Sequence, residues 1–234
     1  MSTPTERQSS VSILPPYRYD FAEGGWREGS HSKRPAGERV TLVTYNLWFG
    51  EHQWEQRVGA LLRLVRQCRP DVIGLQEVTP SHLQRILSED WVRRDFQVSD
   101  TTGSTLEPHG VLLLSRLPIA SLALCHLPSR KDRKMVVGRL ETVAGALCIG
   151  TVHLESSPLS LSVRLEQLDR VLPSLHGANQ AVLMGDFNFD PRDQAEQSRL
   201  CFSYFGIKCF ARFFPAAVRI LIFRFGLDLL RVFR

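Results

Sequence analysis

Apolar and polar positions change rhythm at Glu38. Before it, prolines, glycines, serines and scattered charges follow neither a period of two nor one of 3.6, so residues 1–37 read as a flexible arm, at most lightly docked. After it, Arg39–Leu47 is rich in β-branched and apolar residues and predicts a strand buried on both faces. Val58, Leu61, Leu62 and Val65 then recur at helical spacing, with Arg57, Arg63 and Arg66 on the other side. Asp71–Gln76 is a second buried strand, completing a strand–helix–strand unit that predicts a parallel pair. Thr79-Pro80 predicts a helix start, with Thr79 as cap and Pro80 at the first helical position, where its missing N–H costs nothing.

Between Phe96 and Val152 the chain reads as strands punctuated by turns: 109–115, 119–127, 135–143 and 146–153. The run Glu141–Ala146 predicts a hairpin tip, and strands this close in sequence are expected to pair antiparallel. Leu161, Leu165, Leu168 and Leu172 form a helical stripe, with Arg164, Glu166 and Asp169 expected outside it. Gln180–Gly185 is a last strand that delivers Asp186 and Asn188 at its C-terminal end, where open α/β sheets display chemistry.

Composition and charge add to this picture. With 43% hydrophobic and 23% charged residues in 234, the chain can bury a core, which excludes collagen-like and globally disordered classes. The formal charge of +5 lies entirely in residues 201–234, where Lys208, Arg212, Arg219, Arg224, Arg231 and Arg234 face only Asp228; residues 1–200 balance at zero. Cys68, Cys125, Cys148, Cys201 and Cys209 form no Cys-x-x-Cys pair and no zinc-spaced cluster, and read as reduced thiols. The first ten residues lack the apolar run of a secretory signal, so an intracellular setting, nuclear or cytoplasmic, is the expectation.

The candidate chemistry stands at four strand ends: Asn46, Gln76-Glu77, His153 and Asp186-x-Asn188. Any one of these alone reads more readily as a solvated turn than as a functional group. Together they supply a hard carboxylate for a cation, a base for water, and neutral groups for phosphate oxygens.

The runs Thr44-Tyr45-Asn46-Leu47, Ile73–Val78, Gly150–Ser156 and Met184–Asn188 resemble, in order and interval, the endonuclease/exonuclease/phosphatase (DNase I-like) superfamily. Leu75–Pro80, the His-Leu-Glu-Ser ending and Arg164-x-x-Gln167-Leu168 look most like its tyrosyl-DNA phosphodiesterase 2-like branch. The resemblance implies a four-layer α/β sandwich, two packed β-sheets with outer helices, and Mg²⁺-dependent hydrolysis of a phosphodiester, with Mn²⁺ as an alternative ion. DNA carrying a 5′ adduct is one substrate it implies; abasic DNA, RNA, inositol phosphates and sphingomyelin, which share the core motifs, stay open. Carried over, Glu77 holds the metal, supported by Asn46, which serves the metal or a phosphate oxygen. Asp186 positions and deprotonates the attacking water, Asn188 helps orient it and binds phosphate, and His153 braces the phosphate pocket. Mg²⁺ keeps several of its own waters, so one or two carboxylates suffice. Arg133 and Lys134, with Arg130 and Lys131, occupy the place of a substrate-contacting segment; they and Arg192 read either as contacts to a nucleic-acid backbone or as solvated basic turns.

After Asp190 the resemblance stops, and no Ser-Asp-His motif follows. Loss of one preorganised donor typically costs about 10²- to 10³-fold in rate, so a catalytically inactive nucleic-acid- or protein-binding relative is the alternative reading. The sandwich is accordingly expected over 38–200, C-terminally incomplete, with a sheet edge uncovered. Residues 201–234 hold eight of the thirteen phenylalanines and carry three readings: a basic amphipathic helix on a membrane surface or a partner, a helix replacing lost core, or the product of an alternative exon, frameshift or mispredicted splice.

Overall fold

A computed structural model describes residues 11–30, 39–157, 159–178, 180–189, 207–209 and 221–226. Arg39–Asn46 (β4) and Val72–Val78 (β5) pair in parallel, joined by the helix Trp54–Cys68 (α1), as the strand–helix–strand reading requires. Pro80–Leu87 (α2) begins as expected: the Thr79 side chain accepts from the His82 N–H, and the His82 ring accepts from the Thr79 N–H. Asp90–Asp95 (α3) and the two-residue strand Gln97–Val98 (β6) follow.

Gly110–Ser115 (β7) departs from the expectation for its region. It pairs antiparallel with β5 and β6, whereas Ile119–His126 (β8), Lys134–Thr142 (β9) and Gly145–His153 (β10) form an antiparallel meander in the other sheet. Proximity in sequence predicts pairing only when the connection is a hairpin; Arg116–Pro118 instead carries the chain across the sandwich. Leu161–Ser174 (α4) leads to Gln180–Asp186 (β11), which pairs in parallel with β10.

Residues 11–28 correct the reading of an arm. Val11–Leu14 (β1) pairs with β8, while Tyr17–Asp20 (β2) and Gly25–Glu28 (β3) form a hairpin joined to β6. Strands of four residues are too short to show a period, and open edges supply the backbone partners that hold them. Two segments beyond Asp190 also pair: Ile207–Cys209 (β12) runs parallel to β11, and Leu221–Gly226 (β13) antiparallel to β4. At these positions the helical readings of the tail are corrected to strand, and the edges of β11 and β4 are paired. Residues 1–10 and Arg192, Arg212, Arg219, Arg231 and Arg234 lie outside the described residues, as do the side chains of the whole 201–234 segment.

The sheet orders are β1-β8-β9-β10-β11-β12 and β13-β4-β5-β7-β6-β2-β3. Their facing sides bury Val40, Leu42, Leu113, Val136, Ile149 and Met184. On the outer side of the second sheet, Val43, Ile73 and Leu75 pack under Val58, Leu61, Leu62 and Val65 of α1 and Leu83 and Ile86 of α2. On the outer side of the first, Cys148, Val152 and Leu183 pack under Leu168, Val171 and Leu172 of α4. The expected four layers are therefore present: helices, sheet, sheet, helix. Gly74 permits the sheets to approach, because a Cβ there would lie 2.6 Å from Thr151 Oγ1 and 2.7 Å from Met184 Cε. Beside it, buried Gln76 donates to Thr44 Oγ1 at 3.1 Å and Thr151 Oγ1 at 3.0 Å, stitching one sheet to the other. Among the described residues no helix is long and apolar enough to cross a membrane.

Candidate active site

The parallel pairs β4–β5 and β10–β11 end on the same side of the sandwich, which brings all five strand-end residues together. Asn46 Nδ2 donates to Glu77 Oε1 at 2.9 Å and to Asp186 Oδ2 at 2.8 Å, spanning the two sheets. Its Oδ1 accepts the Trp48 N–H at 2.9 Å. Both amide hydrogens of Asn46 are thus engaged by carboxylates, so it holds them in place rather than offering a donor to phosphate.

Two backbone features aim the carboxylates. Along β5, Leu75 faces the outer helices and Gln76 the facing sheet, so strict alternation would turn Glu77 outward. Instead the register shifts between Leu75 and Val78, and Glu77 adopts φ 55°. Left-handed backbone costs a non-glycine residue about 1–2 kcal/mol; here the carboxylate gains Asn46 Nδ2 and, at 3.0 Å, the Phe49 N–H. Before Asp186, Gly185 takes φ 143°, and a Cβ there would fall 1.9 Å from the Val152 carbonyl oxygen. Only glycine lets β11 lie against β10 at that point.

Asn188 bridges the same two strands. Its N–H donates to Asp186 Oδ1 at 3.1 Å and its Nδ2 to the Leu154 carbonyl at 3.0 Å, leaving one amide hydrogen for another acceptor.

His153 is paired in register with Asp186. Its Nε2 lies 3.8 Å from Glu77 Oε1 and 3.9 Å from Asp186 Oδ2, beyond hydrogen-bond length. Its Nδ1 lies 2.7 Å from Arg133 Nη1. A guanidinium only donates, so Nδ1 is the acceptor and the imidazole proton sits on Nε2, toward the carboxylates. Burial, reinforced by the Arg133 charge and opposed by Asp186, pushes the imidazole down to about 3, so it is neutral at neutral pH.

The basic segment is not a solvated turn at Arg133 or Lys134. Both are buried: Arg133 also donates to Ser156 Oγ at 3.1 Å, and Lys134 Nζ reaches Asp132 Oδ2 at 3.0 Å and the Thr105 carbonyl at 3.4 Å. Arg133 stands behind His153, where its charge touches the pocket through the ring.

On the neighbouring α4 one residue departs from the sequence expectation. Arg164, expected on the outer face of α4, is buried and donates to the carbonyls of Glu155 at 3.2 Å and Ser157 at 2.7 Å. Gln167 accepts the Glu155 N–H at 2.9 Å and donates to the Pro128 carbonyl at 2.7 Å. Glu155 in turn accepts Ser129 Oγ at 2.7 Å and the Arg130 N–H at 3.1 Å. Burial alone would raise the Glu155 carboxyl, but these hydrogen bonds and the Arg133 charge hold it below its ordinary value. The Arg164-x-x-Gln167 spacing was the available sign, since i and i+3 share one helical face.

The donor set suits a hard divalent cation. Glu77 and Asp186 share one neutral amide, their neighbouring histidine is neutral, and Arg133 is spent on that histidine. Among the described residues, then, two hard carboxylates stand without a basic side chain paired to them, although no group of three His, Cys, Asp or Glu is placed to hold a metal ion, so an ion here would rest on one or two carboxylates and its own waters.

Similarity to known proteins extends over this framework. Tyrosyl-DNA phosphodiesterase 2 of Xenopus laevis is 29% identical over 161 residues, covering 66% of this chain and 42% of that protein. The Homo sapiens protein of the same name is 26% identical over 164 residues, covering 67% and 44%. The chain therefore spans less than half the length of these curated relatives. Among solved structures, D. rerio TDP2 complexed with single strand DNA product superposes with a TM-score of 0.60 at 21% identity, over 70% of this chain and 65% of that one. The human Nocturnin catalytic domain with bound sulfate anion gives 0.57 at 18%, over 87% and 76%. Both share the fold. The model of the Endonuclease/Exonuclease/phosphatase family matches residues 43–218, a span that contains every residue of the site and passes beyond Asp190. On the match, the sandwich and the four ordered strand ends together, the chain belongs to the endonuclease/exonuclease/phosphatase family.

Proposed function

We propose that this chain is a divalent-metal-dependent phosphodiesterase acting on DNA with a 5′ adduct, 5′-tyrosyl DNA being the reference substrate. The observation that carries the reading is the Asn46 amide, bonded at 2.9 and 2.8 Å to two carboxylates from different sheets, with His153 Nε2 within 4 Å of both. Glu77, supported by Asn46 and Asp186, would hold Mg²⁺, or Mn²⁺ in its place. The ion, when bound, neutralises charge on the phosphate oxygens. Asp186 accepts one hydrogen bond on each oxygen, from Asn46 and Asn188, and keeps further lone pairs to orient and deprotonate a water. The His153 Nε2–H donates to a nonbridging oxygen, where a neutral, preorganised donor gains most as charge develops. Arg133 holds that ring and lends its field. The names of the curated relatives point to the tyrosyl–DNA bond as the one to test first.

The assay is release of tyrosine from a 5′-phosphotyrosyl oligonucleotide by the full chain with Mg²⁺. Turnover by wild type, abolished by chelation and reduced at least 10³-fold in Asp186→Ala, is the expected result. Equal background rates for wild type and D186A would overturn the catalytic reading, and salt-sensitive oligonucleotide binding without turnover would put the non-catalytic alternative in its place.

A further inference from the structure

Two exposed aromatic rings stand beside the carboxylates and have no part in the chemistry above. Trp48 and Phe49 are 51% and 50% exposed, the one adjacent pair among the exposed large hydrophobic residues described. Their loop is fastened to the site, since the Trp48 N–H donates to Asn46 Oδ1 and the Phe49 N–H to Glu77 Oε2. Arg57 fastens it from α1, donating to the carbonyls of Leu47 at 3.1 Å, Trp48 at 3.3 Å, His52 at 2.9 Å and also Gly50. The same guanidinium lies over the Trp48 ring at 4.4 Å. The ring also closes onto Gly50, where a Cβ would come within 2.7 Å of it. Phe49 stacks flat on His109, ring centroids 4.6 Å apart and planes 3° from parallel.

The surface is therefore aromatic, exposed and held rigidly at the edge of a phosphate-handling site. Burial keeps the His109 imidazole below its ordinary pKa; the Glu77 carboxylate opposes this, and the charges of Arg133, Lys134 and Lys131 add to it. A planar ring carried on a polyanion fits such a neighbourhood; an aliphatic group would gain nothing from the flat stack or from the cations. A base inside a duplex has both faces covered, so the ring must be unpaired.

Building on the phosphodiesterase reading, we propose that the Phe49–His109 stack is a subsite for an unpaired nucleobase next to the scissile phosphate. The probe is a 5′-phosphorylated single-stranded oligonucleotide with 2-aminopurine as its terminal base, compared with the same strand carrying an abasic residue there. The full wild-type chain is expected to quench the 2-aminopurine and to bind the base-bearing strand about tenfold more tightly than the abasic one. Phe49→Leu is expected to reduce that ratio to about one, and Phe49→Tyr to restore it. Equal binding of the two strands by wild type, or a ratio unmoved in F49L, would overturn the subsite. The wild-type comparison needs no variant to fold. Base-dependent binding without tyrosine release would uphold the subsite while overturning the phosphodiesterase reading, so the two failures are distinguishable.

Discussion

The Arg133 guanidinium, 2.7 Å from His153 Nδ1, determines which nitrogen of that ring faces the two carboxylates. The sequence placed Arg133 among groups that could meet a nucleic-acid backbone. Its buried position turns it into a positioning residue that keeps the Nε2–H directed into the site.

Replacing Arg133 by Leu removes the donor. Activity on the phosphotyrosyl oligonucleotide is expected to fall about 10- to 100-fold, the usual cost of losing a partner that orients a site histidine. Nitrogen chemical shifts should show the single Nε2–H tautomer of His153 in wild type and a mixture in R133L. A single unchanged tautomer in the variant would refute the positioning role.

Gln76 links the sheets through Thr44 and Thr151, so Gln76→Leu leaves both hydroxyls short of a buried partner. The expected loss of stability is about 1–3 kcal/mol, measured by urea unfolding. An unchanged midpoint would show that the hydroxyls repair the gap between themselves.

Gly185→Ala places a methyl against the Val152 carbonyl in a backbone conformation that L-residues rarely adopt. The β10–β11 pair must part, and Asp186 moves with it. The variant is expected to be destabilised by at least about 2 kcal/mol and to lose activity; a soluble G185A with wild-type turnover would contradict this account of how Asp186 is aimed.

Acid should weaken the fold through His82. Its pKa is lowered chiefly by burial, with the Arg57 charge adding and the Glu77 contacts opposing. The unfolded chain therefore takes up a proton near pH 6.5 that the folded state resists, so stability falls as pH drops below that value and is unaffected above it. Protonation also removes the Nδ1 lone pair that accepts the Thr79 N–H at the start of α2. His82→Gln keeps an acceptor without the titration and is expected to lessen the fall in melting temperature between pH 7 and 5, the remainder coming from His153 and His109, whose pKa values are also lowered.

Some of this was written locally. The β4–α1–β5 unit, the cap at Thr79, the existence of α4 and the positions of Asn46, Glu77, His153, Asp186 and Asn188 follow from hydrophobic period and from strand ends, which are properties of neighbours in the chain. Arg164 differs from its local signature because a single arginine at helical spacing looks solvated until the carbonyls it satisfies, Glu155 and Ser157, are brought over it. The strands at 11–28 carry no local signature because four-residue edges owe their form to the sheets they join.

The amino-acid sequence alone determined which residue types are available at the ends of the strands and in which order. The tertiary structure decided how they act on one another. Asn46 joins carboxylates 31 and 140 residues away, Arg133 chooses the tautomer of His153, and Phe49 finds His109. Each of these depends on two sheets ending on the same side, with Gly74 and Gly185 allowing the approach. Periodicity records which face a side chain takes within its own element, whereas a distance across the sandwich is fixed only by the packing of every layer between.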